Sequence, residues 1–149
     1  MRHWLLKSEP GDYAIDDLAH DRREWWTGVR NYQARNFMMN DMKKGDGVLF
    51  YHSSCPAPGV YGVAKICTAA APDTTQFMPD SKYYDPKSTA DKPRWFCVQV
   101  SFVKKLARPL LLSEIRNIPA LAGMTLLRRG NRLSVMPVSA AEWRRIVGK

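Results

Sequence analysis

With 149 residues, 45% of them hydrophobic and 25% charged, the chain has the size and composition of one globular domain over 1–149, which excludes a disordered or fibrous polymer. Its net charge of +9 is unevenly spread: residues 1–91 hold 11 Lys/Arg against 12 Asp/Glu, and residues 92–149 hold 12 against 2. A basic last third fits a polyanionic partner, because side chains that neutralise phosphates release condensed counterions; the alternative is a solvated, solubilising surface.

At the N-terminus, Trp4-Leu5-Leu6 reads as a short strand closed by the turn-rich Ser8-Glu9-Pro10-Gly11. Three apolar residues before Lys7 are too few for a signal-peptide core or a membrane span, so a soluble, cytoplasmic protein is expected. A short helix holding Ile15 and Leu18 follows, with Asp12 near its start. Ala34, Phe37, Met38 and Met42 recur at helical spacing, with Asn31 as a cap and Lys43-Lys44-Gly45 as the end. Gly47–His52 and Val60–Cys67 read as strands joined by a Pro/Gly-rich connection. Pro72 to Pro93 is a long polar stretch with little periodicity, a place to look for a site. Phe96, Val98, Val100 and Phe102 alternate on one face of a strand. Ser113–Asn117 fits one helical turn, Leu133 and Val135 another short strand, and Ser139-Ala140-Ala141-Glu142 a capping box opening a last helix. Strands interspersed with short helices predict an α+β domain or a partly closed barrel.

Signs of covalent chemistry are weak. There is no GxSxG, P-loop, HExxH or dinucleotide fingerprint. His3, His20 and His52 are scattered and none pairs with a cysteine at zinc-ligand spacing, so no metal is expected. Cys55, Cys67 and Cys97 form no CxxC pair and read as buried thiols in a reducing compartment. His52 and Ser53 are adjacent on a strand and point to opposite faces, which is poor geometry for activating a serine nucleophile.

Trp25-Trp26-Thr27-Gly28-Val29-Arg30-Asn31-Tyr32 and Tyr83-Tyr84-Asp85-Pro86-Lys87 put aromatic rings beside cations. Stacking on a base with contact to its phosphate requires that combination; one ring of each pair could instead fill the core. Arg128-Arg129-Gly130-Asn131-Arg132 reads as a turn carrying three arginines, whose planar forks suit phosphate. Its alternative is a solvated basic turn.

Taken in order, Trp4–Pro10, Trp26–Asn36, Leu49–Ser54, Asp80–Ser88, Pro93–Phe96 and Leu126–Pro137 resemble the signature of the EVE domain family across essentially the whole chain. The resemblance implies a PUA-like fold, a small distorted β-barrel with flanking short helices. It also implies a non-catalytic module holding a modified base, such as methylated or hydroxymethylated cytosine, without cofactor or metal. Its motifs make Lys7, Ser8, Trp26, Arg30, Asn31, Tyr32, Ser53, Ser54, Tyr83, Tyr84 and Ser134 the candidate base-binding residues. They make Arg129, Asn131 and Arg132 the candidate phosphate contacts, with Leu133 pointing into the core. Trp26 is the expected stacking ring, and the Asn31 amide can both donate to and accept from a base edge. The expected partner is DNA or RNA, with no membrane. Rival readings are an RNA-binding module in RNA maturation or turnover, and an enzyme or sensor for a modified nucleoside or small anion.

Overall fold

Two buried runs near the N-terminus and the middle of the chain lie side by side at the centre of the molecule. They are β1 (His3–Ser8) and β3 (Gly47–His52), paired in parallel from His3↔Gly47 to Ser8↔His52. In the computed structural model, which describes residues 1–148, the crossover between them carries α1 (Ile15–Asp21), β2 (Arg23–Trp25) and α2 (Tyr32–Asn36). The chain continues through β4 (Gly59–Ile66), β5 (Ala71–Pro72), β6 (Phe96–Cys97), β7 (Gln99–Leu111), α3 (Leu112–Ile115), β8 (Val135–Val138) and α4 (Ala140–Val147). Six strands form one sheet in the order β2-β7-β4-β3-β1-β8, with β5 and β6 as a separate antiparallel pair. Register shifts at Phe50/Tyr51, Val60/Gly62 and Val63/Ala64 curl this sheet into a half-barrel, because each bulge adds local twist. The α+β architecture and the distorted, partly closed barrel expected from the sequence are both present.

Strand alternation sends successive side chains into two cores. Trp4, Leu6, Val48, Phe50, Ala64 and Val100 face α1 and α2, while Leu5, Leu49, Tyr51, Val63 and Met136 face α3, the turn at Pro119–Leu121 and α4. With both faces covered, every residue of β3 is buried. Asn31 caps α2 by accepting the Ala34 amide at 3.0 Å, and the helix widens into a π-turn over Phe37–Asp41. Ser139 and Glu142 form the expected capping box of α4.

Four expectations need adjusting. Asp12 does not start α1: the cap position is Ala14, whose amide donates to Asp17, while the Ile15 amide donates to His52 Nε2 at 3.1 Å. Leu133 precedes β8, and the Phe96–Phe102 run is two strands, β6 and β7, split at Val98, although Val98, Val100 and Phe102 still share one core. Only Cys97 is fully buried, and burial pushes its thiol up to about 12; Cys55 and Cys67 are half-buried.

The long polar stretch is packed around polar side chains in place of an apolar core. Gln76, fully buried, donates to the Asp73 and Trp95 carbonyls at 2.7 and 2.8 Å. Its own carbonyl accepts from Ser88 Oγ and from the Arg94 and Trp95 amides. Satisfying these groups lets a segment without apolar periodicity hold one conformation.

Candidate nucleic-acid interface

The strand ends on one side of the sheet open onto a cleft of about 740 Å³. Beyond the regular pairing, the Ser53 amide donates to the Ser8 carbonyl at 2.9 Å and the Lys7 amide to the Ser134 carbonyl at 2.8 Å. These bonds bring Lys7, Ser8, Ser53, Ser54 and Ser134, from three distant parts of the chain, to one mouth. Ser54 adopts φ +53°, a left-handed conformation uncommon for a residue other than glycine, at the rim of the cleft. Ser8 Oγ donates to the Tyr13 carbonyl at 2.5 Å, leaving its lone pairs to accept. Burial lowers the pKa of the Lys7 ammonium, which lies 5.9 Å over the Tyr51 ring.

The opposite wall is Trp25-Trp26-Thr27-Gly28-Val29 together with Lys82 and Tyr83. Gly28, at φ +87°, lies under the Tyr83 ring so closely that a Cβ there would sit 2.6–2.9 Å from three ring carbons. A clamp holds the two together. The Gly28 amide donates to Asp73 Oδ2 at 2.8 Å, and Arg30 Nη1 donates to the same oxygen at 3.1 Å. Arg30 also donates to the Tyr83 carbonyl at 3.1 and 2.7 Å, to Thr75 Oγ1 at 3.1 Å and to the Val29 carbonyl at 3.0 Å. Burial alone would raise the pKa of the Asp73 carboxyl, but hydrogen bonds from Thr75, Gly28 and Arg30 outweigh it and hold the pKa below the ordinary value.

Charge in the cleft is balanced: Lys7, Lys82 and Arg132 face Glu9, Asp12 and Glu24. Behind it, Trp26 packs edge-on against Phe50 at 5.4 Å, Phe50 against His52 at 5.7 Å, and His52 stacks on Tyr61 at 4.0 Å.

Of the residues singled out from the sequence, Lys7, Ser8, Trp26, Ser53, Ser54, Tyr83, Arg132 and Ser134 come together in this cleft. Trp26 is only 8% exposed, whereas its neighbour Trp25, at 39%, offers more open ring. Arg30 lies behind the wall with its five N–H donors all engaged. Tyr32 stacks on Trp95 at 4.7 Å with Arg35 over it at 4.8 Å, and neither Tyr32 nor Tyr84 lines the cleft. Asn31, Arg129 and Asn131 border a second cavity beside the first, with Arg132 and Leu133 lining both. Leu133 thus touches the cavities as well as packing on both cores. Sequence reasoning did not single out Glu9, Asp12, Tyr13, Glu24 and Lys82, all of which line the cleft. Only the side-by-side arrangement of β1, β2 and the 80s segment reveals them.

A curled mixed sheet with helices on both faces carries a polar, aromatic-walled cleft at its strand ends, as the resemblance to the EVE domain family implies. The chain belongs to the EVE domain family, whose model matches residues 2–149. It is 39% identical over 160 residues to thymocyte nuclear protein 1 of Homo sapiens, covering 95% of this chain and 70% of that one. The crystal structure of human thymocyte nuclear protein 1 in complex with DNA containing 5-methylcytosine superposes with a TM-score of 0.93 at 38% identity, covering 99% of this chain and 96% of that chain. A hypothetical protein from Leishmania major superposes with a TM-score of 0.95 at 45% identity, covering 99% and 93%.

Proposed function

We propose that this chain is a non-catalytic reader of a modified base in nucleic acid, acting as one domain over residues 1–149. The observation that carries this reading is the likeness, over nearly all of both chains, to a human relative solved with 5-methylcytosine-containing DNA. The cleft supports it. At about 740 Å³ it is larger than a lone nucleobase needs and has room for the base together with its sugar, and its charge balance suits a neutral base better than a phosphate. The Tyr83 ring and the exposed part of Trp25 offer stacking surfaces, and Ser8, Ser53, Ser54 and Thr27 offer hydrogen bonds to a base edge.

The mechanism divides affinity from selectivity. Cations of the last third attract the polyanion, and one base leaves the stack to enter the cleft. Extrusion from a duplex costs a few kcal/mol, so single strands and weakened pairs bind better. Stacking on an aromatic ring returns about 1–3 kcal/mol. A methyl group in an apolar recess adds about 1 kcal/mol, roughly fivefold in affinity. A non-catalytic role is supported by His52, which is 6% exposed with Nε2 accepting the Ile15 amide and its ring stacked on Tyr61. That nitrogen is not available to activate Ser53.

Fluorescence titration of matched strands, with and without 5-methylcytosine, as DNA and as RNA, tests the reading. The expected result is strongly salt-dependent binding with a several-fold preference for the modified strand. No binding at low salt refutes it. Preference for RNA moves the partner to RNA through its 2′-hydroxyl, and turnover of a free modified nucleoside replaces the reading with an enzymatic one.

A further inference from the structure

The second cavity, about 470 Å³, lies next to the cleft and shares Arg132 and Leu133 with it. The two differ in charge. The cleft has three cations and three carboxylates, whereas the second cavity is lined by Arg128, Arg129 and Arg132 and by no carboxylate. Among the described residues, no hydrogen bond or ion pair engages any of these three guanidinium groups, although the Arg30, Arg35 and Arg108 guanidiniums are all engaged within the chain. Free forks converging on a concave surface are complementary to a phosphodiester, which accepts two parallel N–H bonds.

The turn that presents them is rigidly built. Asn131 spends both ends of its amide on it, Nδ2 donating to the Thr125 carbonyl at 3.0 Å and Oδ1 accepting the Leu133 amide at 3.0 Å. Gly130 supplies the φ of +75°. Asn131 therefore braces the turn while Arg128 joins Arg129 and Arg132 at the surface. Past the turn, the Lys7–Ser134 bond ties the segment to β1 and so to the mouth of the cleft.

We infer that the second cavity is a phosphodiester subsite, in which Arg128, Arg129 and Arg132 hold the backbone flanking the base that occupies the cleft. This rests on the reading of the cleft as a base site and adds a distinct place for the anion. The neutral base goes where the charge cancels, and the phosphate goes where it does not.

The test combines Arg128→Gln/Arg129→Gln with DNA strands in which the linkages flanking a single 5-methylcytosine are uncharged methylphosphonates. On single strands each lost phosphate contact lowers the salt slope of log K by about 0.7, roughly fivefold in affinity at 0.1 M salt. The double variant is expected to lose about 1.4 in slope and roughly 25-fold in affinity at 0.1 M salt, with the ratio of modified to plain strand unchanged. Methylphosphonate at the flanking linkages should weaken the wild type more than the double variant, which keeps only Arg132 of the three. An unchanged slope, or equal methylphosphonate losses in both proteins, overturns the subsite. Base reading fails separately, when the wild type binds modified and plain strands alike while the slope still falls in the variant.

Discussion

Replacing Gly28 by alanine tests whether the Tyr83 ring is a wall of the site. Two costs are separable. The backbone at φ +87° imposes about 1–2 kcal/mol on a residue with a Cβ. The new methyl also lands 2.6–2.9 Å from the Tyr83 ring, which must move away. Gly45→Ala is the control, since Gly45 has φ +98° with nothing within 4 Å. Both variants should lose about 1–2 kcal/mol in denaturant titration. Gly28→Ala should lose more if the 83 segment resists, as overpacking typically costs about 1–3 kcal/mol. Binding should divide them sharply. Displacing the ring forfeits stacking of about 1–3 kcal/mol, or about 5- to 150-fold in Kd for a 5-methylcytosine strand. Gly45→Ala should bind as the wild type does. Refutation would be Gly28→Ala that is destabilised yet binds normally, because Tyr83 would then not touch the ligand.

Asp73→Asn leaves Arg30 without its carboxylate and should cost about 3 kcal/mol, with loss of protection at the Gly28 amide in hydrogen exchange. Because the folded-state pKa of Asp73 is depressed, its stabilisation is present above the unfolded value near 3.8 and is lost as pH falls through the folded one; Asp73→Asn should therefore show a shallower acid limb in a Tm-against-pH series. The pKa of His52 is lowered by burial, which Asp16 opposes and Lys105 reinforces to a smaller degree. The unfolded chain thus binds the proton more readily, and stability falls as pH drops through 6.5 towards the folded value; thermal melts of His52→Gln should lack that part of the decline. Trp26→Ala should cost about 3–5 kcal/mol in denaturant titration, since Trp26 packs on Phe50. Trp25→Ala should cost under about 1 kcal/mol of stability while weakening the strand several-fold in titration.

Much of the fold was legible because its signals are local. The Gly47–His52 run, the Asn31 cap and the Ser139 box each depend on a few neighbouring residues, and each forms where the spacing places it. The start of α1 was not legible, because its amide is satisfied by His52, 37 positions away. Site motifs grouped the correct segments, but the division of labour within each motif is tertiary. Arg30 reads as a ligand contact beside aromatic residues. Only the fold brings it to the buried Asp73 and turns it into the clamp behind Tyr83. Likewise, Asn131 lies between arginines and looks like one of a set, yet its amide closes its own turn. The Trp25-Trp26 pair has the same limit: the edge position of β2 and the Phe50 contact decide which ring stays open.

In the proposed function a modified base sits in the cleft between the Ser8–Ser53 mouth and the Tyr83 wall. The most direct measurement is a crystal structure of this chain with a short DNA strand carrying one 5-methylcytosine. That base is expected to be extruded into the cleft, its ring against Tyr83 or Trp25, with the flanking phosphate at Arg128, Arg129 and Arg132. A strand bound along the surface with its bases stacked and the cleft filled by water would contradict it.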